Sequence, residues 1–163
     1  MRIAIYPGTF DPVTYGHLDI LQRAVGVFDE VIIAVAADSN KSPLFSLGER
    51  IQLLTEATVD MPTVSVRVFE GLTVEFARRC GSAAIIRGLR VMSDFEYEFQ
   101  LALMNKKLAT DVETVFLMTK SDFSFISSSA IKWVASLHGS VSEFVPDHVE
   151  KALMEKYRTH RPE

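Results

Sequence analysis

The chain has 163 residues, 48% of them hydrophobic, which is enough for one domain over residues 1–163 with a sizeable core. A formal net charge of -4 excludes global attraction to nucleic acid or to an acidic membrane, so neither partner is expected and any polyanion must be met by local basic residues. Cys80 is the single cysteine, which excludes an internal disulfide and a thiolate zinc cluster; no apolar run reaches membrane-spanning length and the start lacks a signal pattern, so a cytoplasmic protein is expected.

In chain order, the apolar run Arg2–Tyr6 predicts a first strand, broken at Pro7-Gly8. A polar loop leads to Thr14-Tyr15-Gly16-His17, where helical spacing begins, with Leu18, Leu21, Val25 and Phe28 on one face. Glu30–Ala36 reads as the second strand. Ser46-Leu47-Gly48-Glu49 is a capping box that opens a second helix to about Thr58. Val64–Phe69 is the third strand, and a short helix, Thr73–Cys80, stops at Gly81. Ala84–Arg87 is the fourth strand. A second capping box, Ser93-Asp94-Phe95-Glu96, starts a fourth helix that runs to Leu108. Glu113–Met118 is the fifth strand, followed by helices at Ser128–His138, closed by Gly139, and Pro146–Tyr157.

Repeated strand–helix units with short loops predict a Rossmann-like α/β fold: a doubly wound, five-stranded parallel sheet with helices on both faces and C-terminal helices. Ligands of such sheets bind at the carboxyl ends of strands, where the strand order reverses. The two unusual loops follow strand one and strand four, the latter being Arg87-Gly88-Leu89-Arg90. If those strands are neighbours, both loops face one crevice.

The chain has neither G-x-G-x-x-G nor G-x-x-x-x-G-K-[ST]. It still offers the physics of phosphate binding: a helix N-terminus, a glycine at Gly16 that admits close approach, and the donor His17. A histidine at a helix start is also a common cap. Lys41, in the loop Asp38-Ser39-Asn40-Lys41-Ser42-Pro43, is either a mobile phosphate contact or a solvated surface charge. Arg87 and Arg90 can clamp a phosphate, or Arg87 can pair with an acidic residue at the sheet edge. The serine-rich stretch Phe123–Ser129 is a second anion site or a capping segment, and Phe125 and Ile126 favour a packed loop. The fourth helix carries two apolar stripes, Phe95, Phe99 and Leu103 on one and Tyr97, Leu101, Met104 and Leu108 on the other. One stripe suffices for packing on a sheet, so the second calls for another subunit or a C-terminal helix of the same chain.

Tyr6-Pro7-Gly8-Thr9-Phe10-Asp11-Pro12, Thr14-x-Gly16-His17, Ile86-Arg87-Gly88-Leu89-Arg90, Asp94-Phe95-Glu96-Tyr97-Glu98 and Phe125-Ile126-Ser127-Ser128-Ser129 together resemble the bacterial phosphopantetheine adenylyltransferases, in the nucleotidyltransferase superfamily. The resemblance spans almost the whole chain. It implies adenylyl transfer from ATP to 4′-phosphopantetheine by direct in-line displacement at the α-phosphate, giving dephospho-coenzyme A and pyrophosphate, with magnesium accompanying ATP and a homohexameric assembly. It places Thr9, His17, Lys41 and Arg90 at the reacting phosphates. By the same resemblance Thr9, Lys41, Thr73 and Arg87 meet phosphopantetheine. ATP lies along Thr9, Phe10, His17, Gly88, Leu89 and Arg90, with Glu98 near its sugar. Phe123, Ser124, Phe125, Ile126, Ser127, Ser128 and Ser129 surround its β- and γ-phosphates. Two positions depart from the pattern. Gly71-Leu72-Thr73 lacks the expected side chains along the pantetheine arm, leaving Thr73 its backbone, and Phe123 stands where some relatives have tryptophan. A sister transferase with another acceptor or nucleotide, and a non-catalytic nucleotide-binding domain, are the alternatives; Thr9, His17, Lys41 and Arg90 argue against the second.

Overall fold

The computed structural model describes residues 1–37 and 42–158. In chain order the elements are β1 (Ile3–Gly8), α1 (Tyr15–Ala24), β2 (Glu30–Ala36), α2 (Leu47–Ala57), β3 (Val64–Phe69), α3 (Thr73–Arg79), β4 (Ala84–Leu89), α4 (Met92–Leu108), β5 (Glu113–Met118), a short 3-10 turn at Ser121–Phe123, α5 (Ser128–Ser136) and α6 (Asp147–Arg158). The strands form one all-parallel sheet in the order β3-β2-β1-β4-β5. The expected doubly wound α/β architecture is therefore present. β1 and β4 are neighbours, with Ala4 opposite Ala84 and Ile5 opposite Ile85, so the order reverses between them. No helix among the described residues is long and apolar enough to cross a membrane.

Strand side chains alternate between two cores. Ala4, Tyr6, Ile33 and Ile86 face a larger core, into which Ile20 and Leu21 of α1, Leu54 of α2, Ile131 of α5 and Leu153 of α6 pack. Ile5, Ile32 and Ile85 face a smaller core with Val74, Phe76 and Ala77 of α3. Full burial of a side chain such as Leu153 contributes about 1.5–3 kcal/mol.

Four expectations change. Pro7 and Gly8 do not break β1: they stay in register with Ala34 and Val35 of β2. β4 runs two residues past Arg87, with Gly88 and Leu89 opposite Leu117 and Met118. α4 starts at Met92, one residue before Ser93, and Val91 holds the cap position expected at Ser93. The loop's Arg90 N–H instead reaches the Asp94 carboxylate at 3.3 Å. α5 is closed by His138, not Gly139. His138 takes the left-handed conformation (φ 61°), with its N–H on Ala135 O and that of Gly139 on Val134 O, both at 3.0 Å. Gly139 is needed for close approach: a Cβ there would stand 2.7 Å from Val134 Cγ1.

Neither apolar stripe of α4 is covered. Phe95, Phe99, Leu103, Tyr97, Met104 and Leu108 are all exposed, and only Leu101 of the two stripes turns inward. α6 packs in the core on the opposite sheet face, so the C-terminal helix does not serve as the cover.

Candidate active site

The loop after β1 is held from two helices. Phe10 adopts a left-handed backbone (φ 51°), uncommon for a residue with a side chain, and its ring packs edge-on against Tyr6 and His17. The next residue, Asp11, is buried. Its carboxylate accepts from Leu44 N–H (2.9 Å), Phe45 N–H (2.8 Å) and Lys132 Nζ (2.6 Å), tying the loop to the approach to α2 and to α5. Arg50 Nη1, from the first turns of α2, donates to Thr9 O at 2.8 Å and Ala36 O at 3.0 Å. The Ser128 hydroxyl donates to Pro12 O at 2.8 Å, bringing the start of α5 against the same loop.

Thr14 caps α1, its hydroxyl accepting from His17 N–H, while its own N–H donates to His17 Nδ1 at 3.1 Å. That bond makes Nδ1 the acceptor and leaves the proton on Nε2. Burial, and then the charge of Arg90, lower the His17 pKa to about 4, so the ring is neutral at neutral pH. The cap and a ligand contact are therefore not exclusive roles. The cap uses Nδ1, and Nε2 is left as a donor on a ring that borders a cavity of about 320 Å³.

That cavity opens at the switch point, beyond the carboxyl ends of β1 and β4. Arg87 and Glu98 stand in its wall as a two-pronged pair, Nε to Oε2 at 2.7 Å and Nη2 to Oε1 at 2.6 Å. Glu98 is 8% exposed, so it is a buried partner and not a solvated helix carboxylate. Burial opposes the charge on Arg87, but the hydrogen bonds and charge of Glu98 outweigh it and raise the guanidinium pKa. Arg90 holds Asp94 through Nε (3.2 Å) and Ile126 O through Nη1 (3.1 Å), linking the β4–α4 loop to the serine stretch. At Gly88 a Cβ would lie 3.2 Å from Ile20 Cγ1, so glycine lets α1 approach β4 closely. A second cavity of about 90 Å³ lies on the other side of the Arg87–Glu98 pair, bordered by Thr73, Leu101 and Asn105.

Phe10, His17, Arg87, Gly88, Arg90 and Glu98 thus meet at one cavity, together with Ile126, Ser127, Ser128 and Ser129. Thr73 borders the smaller one. Leu89 is buried behind the wall, Phe123 rests near Tyr15, and Phe125 packs edge-on against Phe144 with most of its surface exposed. Thr9 contributes its carbonyl to Arg50, and Ser124 bonds back to Ser121 O. Lys41 lies outside the described residues. The supports Asp11, Arg50, Asp94 and Lys132 carry no site role in the sequence reading, although Asp11 and Asp94 lie in its motifs. Arg50 carried one readable signal, a charge three and four residues before Leu53 and Leu54 on the inward face of α2.

The N-termini of α1 and α5, two arginines and a neutral imidazole donor suit a polyanion whose charge grows during a reaction. Among the described residues no group of three or more His, Cys, Asp or Glu side chains is placed to hold a metal ion. A family model described as cytidylyltransferase-like matches residues 5–134. Proteins of two Desulfitobacterium hafniense strains, both named phosphopantetheine adenylyltransferase, are 74% identical over 157 residues, 96% of this chain and 96% of each relative. The phosphopantetheine adenylyltransferase of Moorella thermoacetica is 57% identical over 157 residues, 96% of this chain and 98% of that protein. The fold, the cavity at the switch point and these near full-length identities agree: the chain belongs to the phosphopantetheine adenylyltransferase family of cytidylyltransferase-like nucleotidyltransferases.

Proposed function

We propose that this chain transfers the adenylyl group of ATP to 4′-phosphopantetheine, giving dephospho-coenzyme A and pyrophosphate. The names of the relatives support the reading, and the observation that carries it is the state of His17. A neutral ring, fixed through Nδ1, presents Nε2–H beside the N-terminus of α1 and Arg90. In this reading an oxygen of the acceptor phosphate attacks the α-phosphorus of ATP, and the bond to the pyrophosphate oxygen breaks. The attacking oxygen is already ionised, so no general base is required. Positioning and charge stabilisation do the catalytic work.

Thr9, Lys41 and Arg87 meet the acceptor phosphate, and Thr73 lies along the pantetheine arm. Phe10, His17, Gly88, Leu89 and Arg90 bind ATP, with Thr9 between it and the acceptor, Glu98 stands near its sugar, and the 123–129 stretch receives the β- and γ-phosphates. The Arg87–Glu98 pair then stands where the smaller cavity, bordered by Thr73, adjoins the nucleotide site. The cavity's carboxylates, Asp94 and Glu98, are engaged by Arg90 and Arg87. Magnesium therefore enters with ATP, as the counter-ion of its phosphates. The uncovered face of α4 supports a homo-oligomer, a hexamer in the family's manner, and the reading places the enzyme in the cytoplasm. Pyrophosphate release from ATP over a panel of phosphorylated acceptors tests the assignment. Release with 4′-phosphopantetheine at least about tenfold faster than with any other acceptor is expected. A different preferred acceptor overturns it in favour of a sister transferase.

A further inference from the structure

β1 and β2 stay paired through Gly8 and Val35. One residue further on, the carbonyls of Thr9 and Ala36 both receive a hydrogen bond from a single nitrogen, Arg50 Nη1. Arg50 is 2% exposed. Among the described residues its hydrogen bonds go to carbonyls and not to a carboxylate, and its Nε is buried without a hydrogen-bond partner. Burying a guanidinium without a counter-charge is costly. Satisfying two carbonyls does not by itself require that cost, because a neutral side-chain amide also carries two N–H donors. What the charge adds is a positive centre bonded to the Thr9 carbonyl.

The backbone there also needs outside support. Phe10 holds a left-handed conformation that a residue with a Cβ adopts only when its surroundings impose it. Asp11 anchors the far side of Phe10 to Leu44, Phe45 and Lys132, and Arg50 anchors the near side at Thr9. We propose that Arg50 is a positioning residue for the acceptor phosphate, acting through Thr9: it sets the Thr9 backbone, and with it the aim of the Thr9 hydroxyl. The inference rests on the adenylyl-transfer reading above.

The test is steady-state kinetics of Arg50→Lys, Arg50→Met, Thr9→Ala and the double variant Arg50→Lys/Thr9→Ala. ATP and 4′-phosphopantetheine are varied separately, with melting temperatures and calorimetric ATP binding alongside. Arg50→Lys should raise the KM for 4′-phosphopantetheine about tenfold while the ATP Kd stays within about twofold. In the Thr9→Ala background the same change should matter less than about threefold, because the contact it acts through is gone. Equal losses for both substrates, or an undiminished effect in the Thr9→Ala background, overturn the inference. If Arg50→Met fails to fold, Arg50→Lys decides. A wild-type enzyme that makes no product from 4′-phosphopantetheine overturns the adenylyl-transfer reading itself; a wild type that makes it, with unselective Arg50→Lys losses, removes only the role of Arg50.

Discussion

At His17, one ring serves two purposes through its two nitrogens. Nδ1 takes the Thr14 N–H and closes the α1 cap, so Nε2 is left as the proton-bearing donor. Nε2–H should count most when negative charge grows on the α-phosphate, because an interaction equally strong in the ground state does not speed the chemical step. Losing one such donor costs on the order of 2.7–4 kcal/mol, or about 100- to 1,000-fold in turnover. His17→Ala should therefore lower kcat by that factor while ATP binding changes little; normal kcat with weakened ATP binding would identify a ground-state ligand instead. The same substitution has a pH signature. The folded pKa, about 4, lies below the ordinary 6.5, so between those values the unfolded chain binds the extra proton. The stability linked to His17 is thus fully present above pH 6.5 and is lost as pH falls toward 4. Denaturant titrations across that window should show a shallower pH dependence in His17→Ala than in the wild type.

Among the elements, α4 differs most from what its sequence suggests. Its pattern shows two stripes, and the expectation that the sheet takes a whole stripe fails, because Leu101 alone of the two stripes turns to the sheet face. Glu98 is spent on Arg87 of β4, with Leu101, Ala102 and Asn105 beside it. A helical wheel does not reveal that a carboxylate faces inward, because its burial depends on a partner 11 residues away on another element. The cap position expected at Ser93 falls at Val91, since α4 begins one residue earlier. By contrast, the α2 capping box and the Thr14–His17 helix start are local, and both were legible. Phe95 and Phe99 stack at 5.6 Å on the outer face, beside Leu103 and within an apolar surface that reaches Met104 and Leu108. A surface of this kind is the one a second subunit would cover in the proposed homo-oligomer. Sedimentation should show an assembled wild type, and Leu103→Glu with Met104→Glu should dissociate it with helix content unchanged. A wild-type monomer at micromolar concentration would contradict this.

For the molecule as a whole, the strand order does the placing. β1 and β4 are distant in sequence, yet their pairing brings the start of α1, with His17, to the loop that carries Arg90, and the segment entering α5 closes the third side through Ile126 and Ser128. The alternating units made the sheet predictable, and the neighbouring strands then made the crevice predictable. The roles of Arg50 and Asp11 were not legible, because their partners, the Lys132 side chain apart, are main-chain groups of distant segments, which no side-chain pattern announces. The central claim is that two substrates react directly in this cavity, with protein groups stabilising charge and none attacking phosphorus. The stereochemistry of transfer from ATP made chiral by sulfur at the α-phosphorus tests it most directly, with 4′-phosphopantetheine as acceptor. A single in-line displacement predicts inversion at that phosphorus in the dephospho-coenzyme A product; retention would show that the adenylyl group passes through a covalent enzyme intermediate and would contradict the account.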